Sequence, residues 1–339
     1  ASFTGEDVLE IHHHGSIAVA RALSDVLGSM AGMRPATPGE FSRRAFLNSK
    51  LDLTQVEGLA DLIEATTTAQ SRAALRQMGG VQGRQLAEWR EALLRALALI
   101  EAEIDFAPDE EVPDALWESL APSLQCIADD IRARLDDGHR GERLRQGVSI
   151  AVIGAPNVGK SSLVNAIAKR DVAIVTDLPG TTRDVIEVAL DLDGLPITLL
   201  DTAGLRESND PIEQAGIARA RERAAQADLR LHVIDCPSDL GHEDAFSTGT
   251  LLVLNKVDLW SDAVLPPSAL AVSVHTGEGL ARLLSALANA ARALLPGDDA
   301  VLVTRTRHRV ALDDAVTVRD RALALGAAAD LGLLAEELR

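Results

Sequence analysis

Tyrosine is absent from this sequence, and aromatic residues make up only 2% of its 339 positions although 47% are hydrophobic. The core must therefore be built from leucine, alanine, valine and isoleucine, a composition that favours helices. Cysteine is nearly absent too. Cys126 and Cys236 stand far apart, without metal-ligand spacing or a redox pair, which gives no support to a transition-metal site and suits a reducing compartment. No uninterrupted apolar run reaches the length of a membrane span and no signal peptide is visible, so a soluble cytoplasmic protein without a membrane partner is expected. Positive charge is also in short supply: 33 Lys and Arg face 51 Asp and Glu, a net charge of −18. That balance argues against gripping nucleic acid by bulk electrostatics, since such affinity grows with the number of phosphates neutralised. Two local basic clusters remain, Arg132, Arg134, Arg140, Arg143 and Arg145, and Arg305, Arg307, His308 and Arg309. Charge runs usually cover solvated faces, and solvated helix ends are the expected reading of both.

The chain has room for two or three domains. Residues 148 to about 297 alternate between strand and helix patterns. Val148 to Ile153 reads as a buried strand followed by a helix from Ser162 to Ala168. Val185 to Leu192 and Leu195 to Leu200 flank Asp193-Gly194, a hairpin signal. Leu229 to Ile234, Leu251 to Leu254 and Leu270 to Val274 supply further strands, with helices over Gln214 to Ala227 and Gly279 to Leu294 between them. This pattern predicts a mostly parallel sheet with helices on both faces, which binds ligands beyond the strand C-termini. On either side the period becomes helical. Leu86, Trp89, Leu93, Leu97, Ile100 and Ile104 form one stripe, and Leu120, Leu124, Ile127, Ile131 and Leu135 another. Leu312, Val316, Leu323, Leu331, Leu334 and Leu338 repeat the pattern over a stretch too short to bury a core alone. The tail is therefore expected to pack on the earlier helices, leaving the α/β domain inserted into a discontinuous helical bundle. Before them, Asp7 to Ile11 reads as a strand and Ile17 to Leu27 as a helix. The opening without Met and the stop within a helix at Leu338-Arg339 are expected to be fragment ends.

Three ordered motifs fall at the predicted strand ends: Gly154-Ala155-Pro156-Asn157-Val158-Gly159-Lys160-Ser161, Asp201-Thr202-Ala203-Gly204 and Asn255-Lys256-Val257-Asp258. The first has the form in which backbone N–H groups of a glycine-rich loop wrap phosphates at a helix N-terminus while the lysine reaches the outer phosphates. The Ser161 hydroxyl is suited to magnesium, with Ser162 beside it. Asp201 is placed to hold magnesium through water, and the Gly204 amide to sense the outermost phosphate. Thr182, within Gly180-Thr181-Thr182-Arg183-Asp184, would close over the metal. A carboxylate at Asp258 can accept both the ring N–H and the exocyclic amine of guanine, whereas adenine offers the wrong donor pattern. Lys256 would lie along the base, and Ser273-Val274-His275 is a base-side loop. Together these features point to a P-loop GTPase binding GTP and GDP. Leu205 follows Gly204 where Ras-like enzymes carry a water-orienting glutamine, so another residue must take that role or hydrolysis is slow.

Asn157 in the phosphate loop, Thr176-Asp177-Leu178-Pro179-Gly180-Thr181-Thr182-Arg183-Asp184, and Asp201-Thr202-Ala203-Gly204-Leu205-Arg206 with Glu213 downstream resemble the GTPase of the MnmE (TrmE) tRNA-modification family. Ser2 to Glu10, Pro38 to Asn48 and Lys50 to Leu53 resemble the same family's folate-binding domain and its junction with the helices. The likeness covers essentially the whole chain. It implies a partial α+β folate-binding domain at 1–48, a helical domain at 49–146 and 298–339, and a GTPase domain at 147–297. It further implies potassium held by the Asn157 side chain and by backbone oxygens of Thr176, Leu178 and Thr181, where a monovalent cation replaces an arginine finger. Lys160 and Thr182 would serve catalysis, with Glu213 orienting water in place of the missing glutamine. Glu10 and Lys50 would contact formyl- or methylene-tetrahydrofolate. The expected partners are a second copy, through the N-terminal and GTPase domains, an FAD-dependent MnmG (GidA) protein, and tRNA. The joint product would be an aminomethyl or carboxymethylaminomethyl group on the wobble uridine.

Relative to the family, the start of the folate domain and the C-terminal tail with its cysteine are missing, so GTP turnover rather than complete modification is expected of these residues. The roles of Arg183 and Arg206 stay open. Two other functions fit a GTPase of this kind, a switch in ribosome assembly and a regulator acting only through protein partners. The first predicts an appended basic RNA-binding domain, which this acidic chain does not show.

Overall fold

The structure is a computed structural model that describes residues 2–106, 114–170, 187–201, 222, 224–236, 249–260, 269–297, 303–325 and 335–336. The chain divides into two compact units, Ala1–Glu64 with Ala74–Arg90, and Ala65–Ala73 with Glu91–Arg339.

The first unit contains α1 (Ile17–Gly28), α2 (Glu40–Leu47) and α3 (Leu53–Glu64). Residues Asp7 to Ile11 form no strand, and Leu9 is 85% exposed. Alternating apolar residues signal a strand only where a neighbouring backbone completes the ladder, and none does so among the described residues. The predicted helix from Ile17 is present. A polar cluster fixes the start of α2. Glu40 accepts two parallel hydrogen bonds from Arg34 Nη1 and Nη2 at 2.8 and 2.9 Å, one from the Thr37 amide at 2.9 Å and one from Arg44 Nη2 at 2.9 Å. Led by the Arg34 bond, these donors hold the Glu40 carboxyl down at about 2, against an ordinary value of 4.5. A carboxyl depressed on folding stabilises the unit fully above its unfolded value and loses that contribution as pH falls toward the folded one. Thermal melts should therefore show midpoints dropping between pH 4.5 and 2, with a shallower drop for Glu40→Gln.

In the second unit, β1 (Val148–Ile153), β2 (Glu187–Leu192), β3 (Leu195–Asp201), β4 (Leu229–Ile234), β5 (Thr250–Leu254) and β6 (Leu270–Ala271) form one sheet in the order β2-β3-β1-β4-β5-β6. β2 pairs antiparallel with β3 and every other pairing is parallel. The hairpin closes through Asp193 and Gly194 at φ 54° and 82°, both in the left-handed region that a two-residue primed turn needs. β6 ends two residues into the predicted strand because Ser273 turns back, its amide donating to Glu278 O and its carbonyl accepting from the Gly277 amide. Between the sheet and its helices lie Ile150, Val152, Leu163, Ile167, Leu199, Leu231, Val253, Leu283 and Leu287, all at or near complete burial.

Helices α4 (Thr68–Met78), α5 (Val81–Phe106), α6 (Asp114–Leu135) and α7 (Arg140–Gln146) precede the sheet; α8 (Lys160–Ala168), α9 (Leu280–Leu294) and α10 (Thr306–Leu325) follow β1, β6 and α9. Ala322 and Ala335 pack into a cluster with Ala96, Ile100, Leu120 and Leu124. The tail thus completes a bundle whose first helices lie on the other side of the α/β domain in sequence. Ion pairs reinforce the join. Arg132 Nη2 meets Asp320 Oδ2 at 2.6 Å, and Arg309 donates to Leu135 O at 2.6 Å and Asp137 Oδ1 at 2.7 Å. Arg143 binds Asp228 and Arg134 faces Asp130. Within the basic clusters Arg134, Arg143 and Arg309 are therefore partly buried structural pairs, whereas Arg140 and Arg307 are exposed as solvated helix ends would be.

The first turn of α4 is capped twice. Gln70 Oε1 accepts from the Thr66 and Thr67 amides at 3.1 and 3.2 Å while Thr67 Oγ1 accepts from the Gln70 amide at 3.3 Å, a reciprocal cap for otherwise unpaired helix donors. The next donor, the Ala69 amide, finds Gly194 O at the hairpin turn at 3.1 Å.

Candidate functional site

β1 has β3 on one side and β4 on the other, so the chain's direction across the sheet reverses at β1. In an open α/β sheet the crevice beyond the strand C-termini at such a point receives ligands. Residues Gly154 to Gly159 occupy that position and lead into α8. Gly154 adopts φ 145°, and a Cβ there would stand 2.1 Å from Val233 O of β4. Asn157 takes φ 65° without being glycine. Lys160, only 7% exposed, donates from Nζ to Gly154 O and Ala155 O, each at 2.8 Å, so its ammonium lies over the loop. Val158 is buried, and Ser161 and Ser162 sit in the first turn of α8.

Parallel register sets Asp201, the last residue of β3, opposite Val152. Asp201 is 1% exposed. An oxygen ligand at this place, next to the start of the phosphate loop, suits a hard cation. Asn255 follows β5 directly. Its amide donates to Ile234 O at 2.7 Å, and its Nδ2 donates to Val158 O at 2.9 Å, tying the guanine-type motif to the phosphate loop. Lys256 turns the chain at φ 60°, and Val257–Leu259 form a single 3₁₀ turn that carries Asp258 exposed. Lys256 Nζ donates to Asn157 O at 3.0 Å and Asp235 Oδ2 at 2.6 Å. The Val272 amide reaches Leu254 O at 2.8 Å, which brings the loop after β6 alongside. In that loop Ser273 is fully buried and its Oγ accepts from the Thr276 amide at 3.1 Å, while Val274 is half-buried and His275 exposed.

One rim thus gathers Asn157, Val158, Gly159, Lys160, Ser161, Ser162, Asp201, Asn255, Lys256, Asp258, Ser273, Val274 and His275. Thr176, Leu178, Thr181, Thr182, Thr202, Ala203, Gly204 and Glu213 lie outside the described residues. Glu10 and Lys50 belong to the other unit, where Glu10 faces His12 at 3.4 Å and the Lys50 amide donates to Ala45 O at 2.8 Å. No hydrogen bond or ion pair joins Glu10 to Lys50 among the described residues. Asp235, which sequence reasoning passed over, is in direct contact with this rim; its signal was a carboxylate placed immediately after a buried strand.

The rim's candidate cation ligands all offer oxygen: the Ser161 hydroxyl, the Asp201 carboxylate and the Asn157 amide. That donor set fits magnesium and alkali cations rather than thiophilic metals.

Two family models match, the MnmE helical domain over residues 53–339 and the GTP-binding protein TrmE N-terminus over residues 1–50. Curated relatives described as tRNA modification GTPase MnmE cover the whole chain. Those from Parvibaculum lavamentivorans and Rhodospirillum rubrum are each 51% identical, and the chain spans 77% and 75% of their lengths. The relative from Methylorubrum populi is 50% identical, with 76% of its length spanned. Among solved structures, the G domain of the T. maritima FeoB iron transporter is 28% identical over 42% of this chain and 98% of that one. The TM-score between the two is 0.31.

Proposed function

Because this chain belongs to the MnmE family of tRNA modification GTPases, we propose that it hydrolyses GTP with the aid of potassium to drive modification of the wobble uridine in certain tRNAs. The observation that carries the proposal is the Asn255 clamp. A guanine-type motif is hydrogen-bonded to the backbone of a phosphate loop whose lysine is already in place. Such a rim recognises base and phosphates together.

Each residue has a chemical task at this site. The amides at the start of α8 and the Lys160 ammonium gather the phosphate oxygens. Asp258 selects guanine through its paired donors. Ser161 and Asp201, with Thr182, are the residues that would hold magnesium, and Asn157, Thr176, Leu178 and Thr181 those for potassium. Bound there, the two cations would neutralise charge developing on the phosphates. Glu213 would orient water in place of the glutamine that Leu205 lacks. Glu10 and Lys50 would hold the folate that supplies the one-carbon unit. The remaining assignments, a dimer, an FAD-dependent MnmG partner, tRNA as substrate and a cytoplasmic location, rest on the family likeness. Among the described residues no helix is long and apolar enough to cross a membrane.

GTP hydrolysis measured in potassium and in sodium at equal ionic strength tests the proposal. We expect about 100-fold stimulation by potassium, comparable to the loss on removing one preorganised electrostatic group, and its disappearance in Asn157→Ala. Equal rates in both salts despite tight GDP binding would refute potassium assistance.

A further inference from the structure

We propose that Asp235 is a positioning residue of the nucleotide site, acting through Lys256 on the phosphate loop. The inference rests on reading the rim as a guanine-nucleotide site.

Lys256 Nζ stands between two oxygens on different elements, Asp235 Oδ2 at 2.6 Å and Asn157 O at 3.0 Å. Asp235 directly follows β4 and is anchored from the far side of the guanine-type turn, where Trp260 Nε1 donates to its carbonyl at 2.9 Å. The carboxylate is thus held by its own strand and by the turn it serves. The two residues joined by the ammonium, Asn157 and Lys256, both occupy the left-handed backbone region, at φ 65° and 60°. Non-glycine residues persist there when their surroundings over-determine them. A lysine side chain is otherwise flexible and loses considerable rotamer freedom when its tip is fixed. Asp235 fixes that tip in the free protein. The ammonium can then stay on the Asn157 carbonyl and the loop keeps its shape before nucleotide arrives. Preorganisation of this kind appears as affinity, because less ordering remains for the binding step.

A residue that acts only through another must lose its effect when that other is gone, and a double-mutant cycle measures this. Binding of a fluorescent GDP analogue should be titrated for the parent, Asp235→Ala, Lys256→Ala and the double variant, all in the full chain. We expect Asp235→Ala to weaken GDP about three- to fivefold in the parent, a loss in the range of one partly exposed charge pair, and less than about 1.5-fold in the Lys256→Ala background. Asp235→Asn, which keeps the shape and an acceptor oxygen, should recover most of the affinity. Equal losses in both backgrounds, or no loss in either, would overturn the inference. If Asp235→Ala fails to fold, Asp235→Ser, whose hydroxyl is too short to reach the ammonium, and its double variant with Lys256→Ala are read in the same way, with the same expected losses. A parent chain that bound no GDP would instead refute the reading of the rim, so the two failures are distinguishable.

Discussion

Replacing Gly154 by alanine is expected to abolish GDP binding and to lower stability by about 3 kcal/mol, the combined range of a forbidden backbone conformation and an overpacked contact. The added methyl would sit 2.1 Å from Val233 O, an atom of a central strand with neighbours on both sides. A flexible side chain could swing aside. This carbonyl cannot, because its strand is held in register by β1 and β5. The loop itself must move, taking with it the carbonyls of Gly154 and Ala155 that receive Lys160. The φ of 145° at this residue is also one that an alanine rarely adopts. A GDP titration together with a thermal melt checks both halves. Affinity within about tenfold of the parent would show that the loop tolerates a displacement worth less than about 1.4 kcal/mol.

Asp258→Asn should weaken GDP by about 100-fold or more, on the usual size of hydrogen bonds to a charged group. Asp258 stands exposed on a 3₁₀ turn that begins at the left-handed Lys256, so its carboxylate can meet a ligand without first breaking into the core. Both carboxylate oxygens accept, matching the two adjacent donors on guanine. An asparagine offers one acceptor and one donor. Against guanine, donor then meets donor. Xanthine carries a carbonyl where guanine carries the amine, so the preference should move toward xanthosine diphosphate in direct competition. Unchanged discrimination in favour of GDP would place base recognition elsewhere.

Local signals account for what the sequence made legible. The Asp193-Gly194 turn, the four apolar runs that became β1, β3, β4 and β5, and the motifs at their ends are each contained in a few consecutive residues. The discontinuous bundle was also readable, because the tail's stripe was too short to bury itself. Contacts between distant residues were not. Arg132 and Arg309 read as solvated charges because their partners, Asp320 and Asp137, lie 188 and 172 positions away. Asp235 has the same character, since only the folded sheet sets it beside Lys256. The strand expected at Asp7 to Ile11 failed for the opposite reason. Its pattern is local, but a strand is a property of two segments. The magnitude of the Glu40 depression likewise depends on Arg34, Thr37 and Arg44 converging on one carboxylate.

Hairpin turns on a protein surface are ordinarily where evolution inserts and deletes residues most freely. The turn at Asp193 and Gly194 lacks that freedom. Its Gly194 carbonyl completes the capping of α4, and the Thr68 hydroxyl lies 2.3 Å from where a side chain on Gly194 would begin. An insertion of even one residue would shift the acceptor away from Ala69 and reopen a helix end. Length and identity at this turn should therefore vary little among relatives that keep the same arrangement of α4, and longer loops should accumulate elsewhere on the molecule.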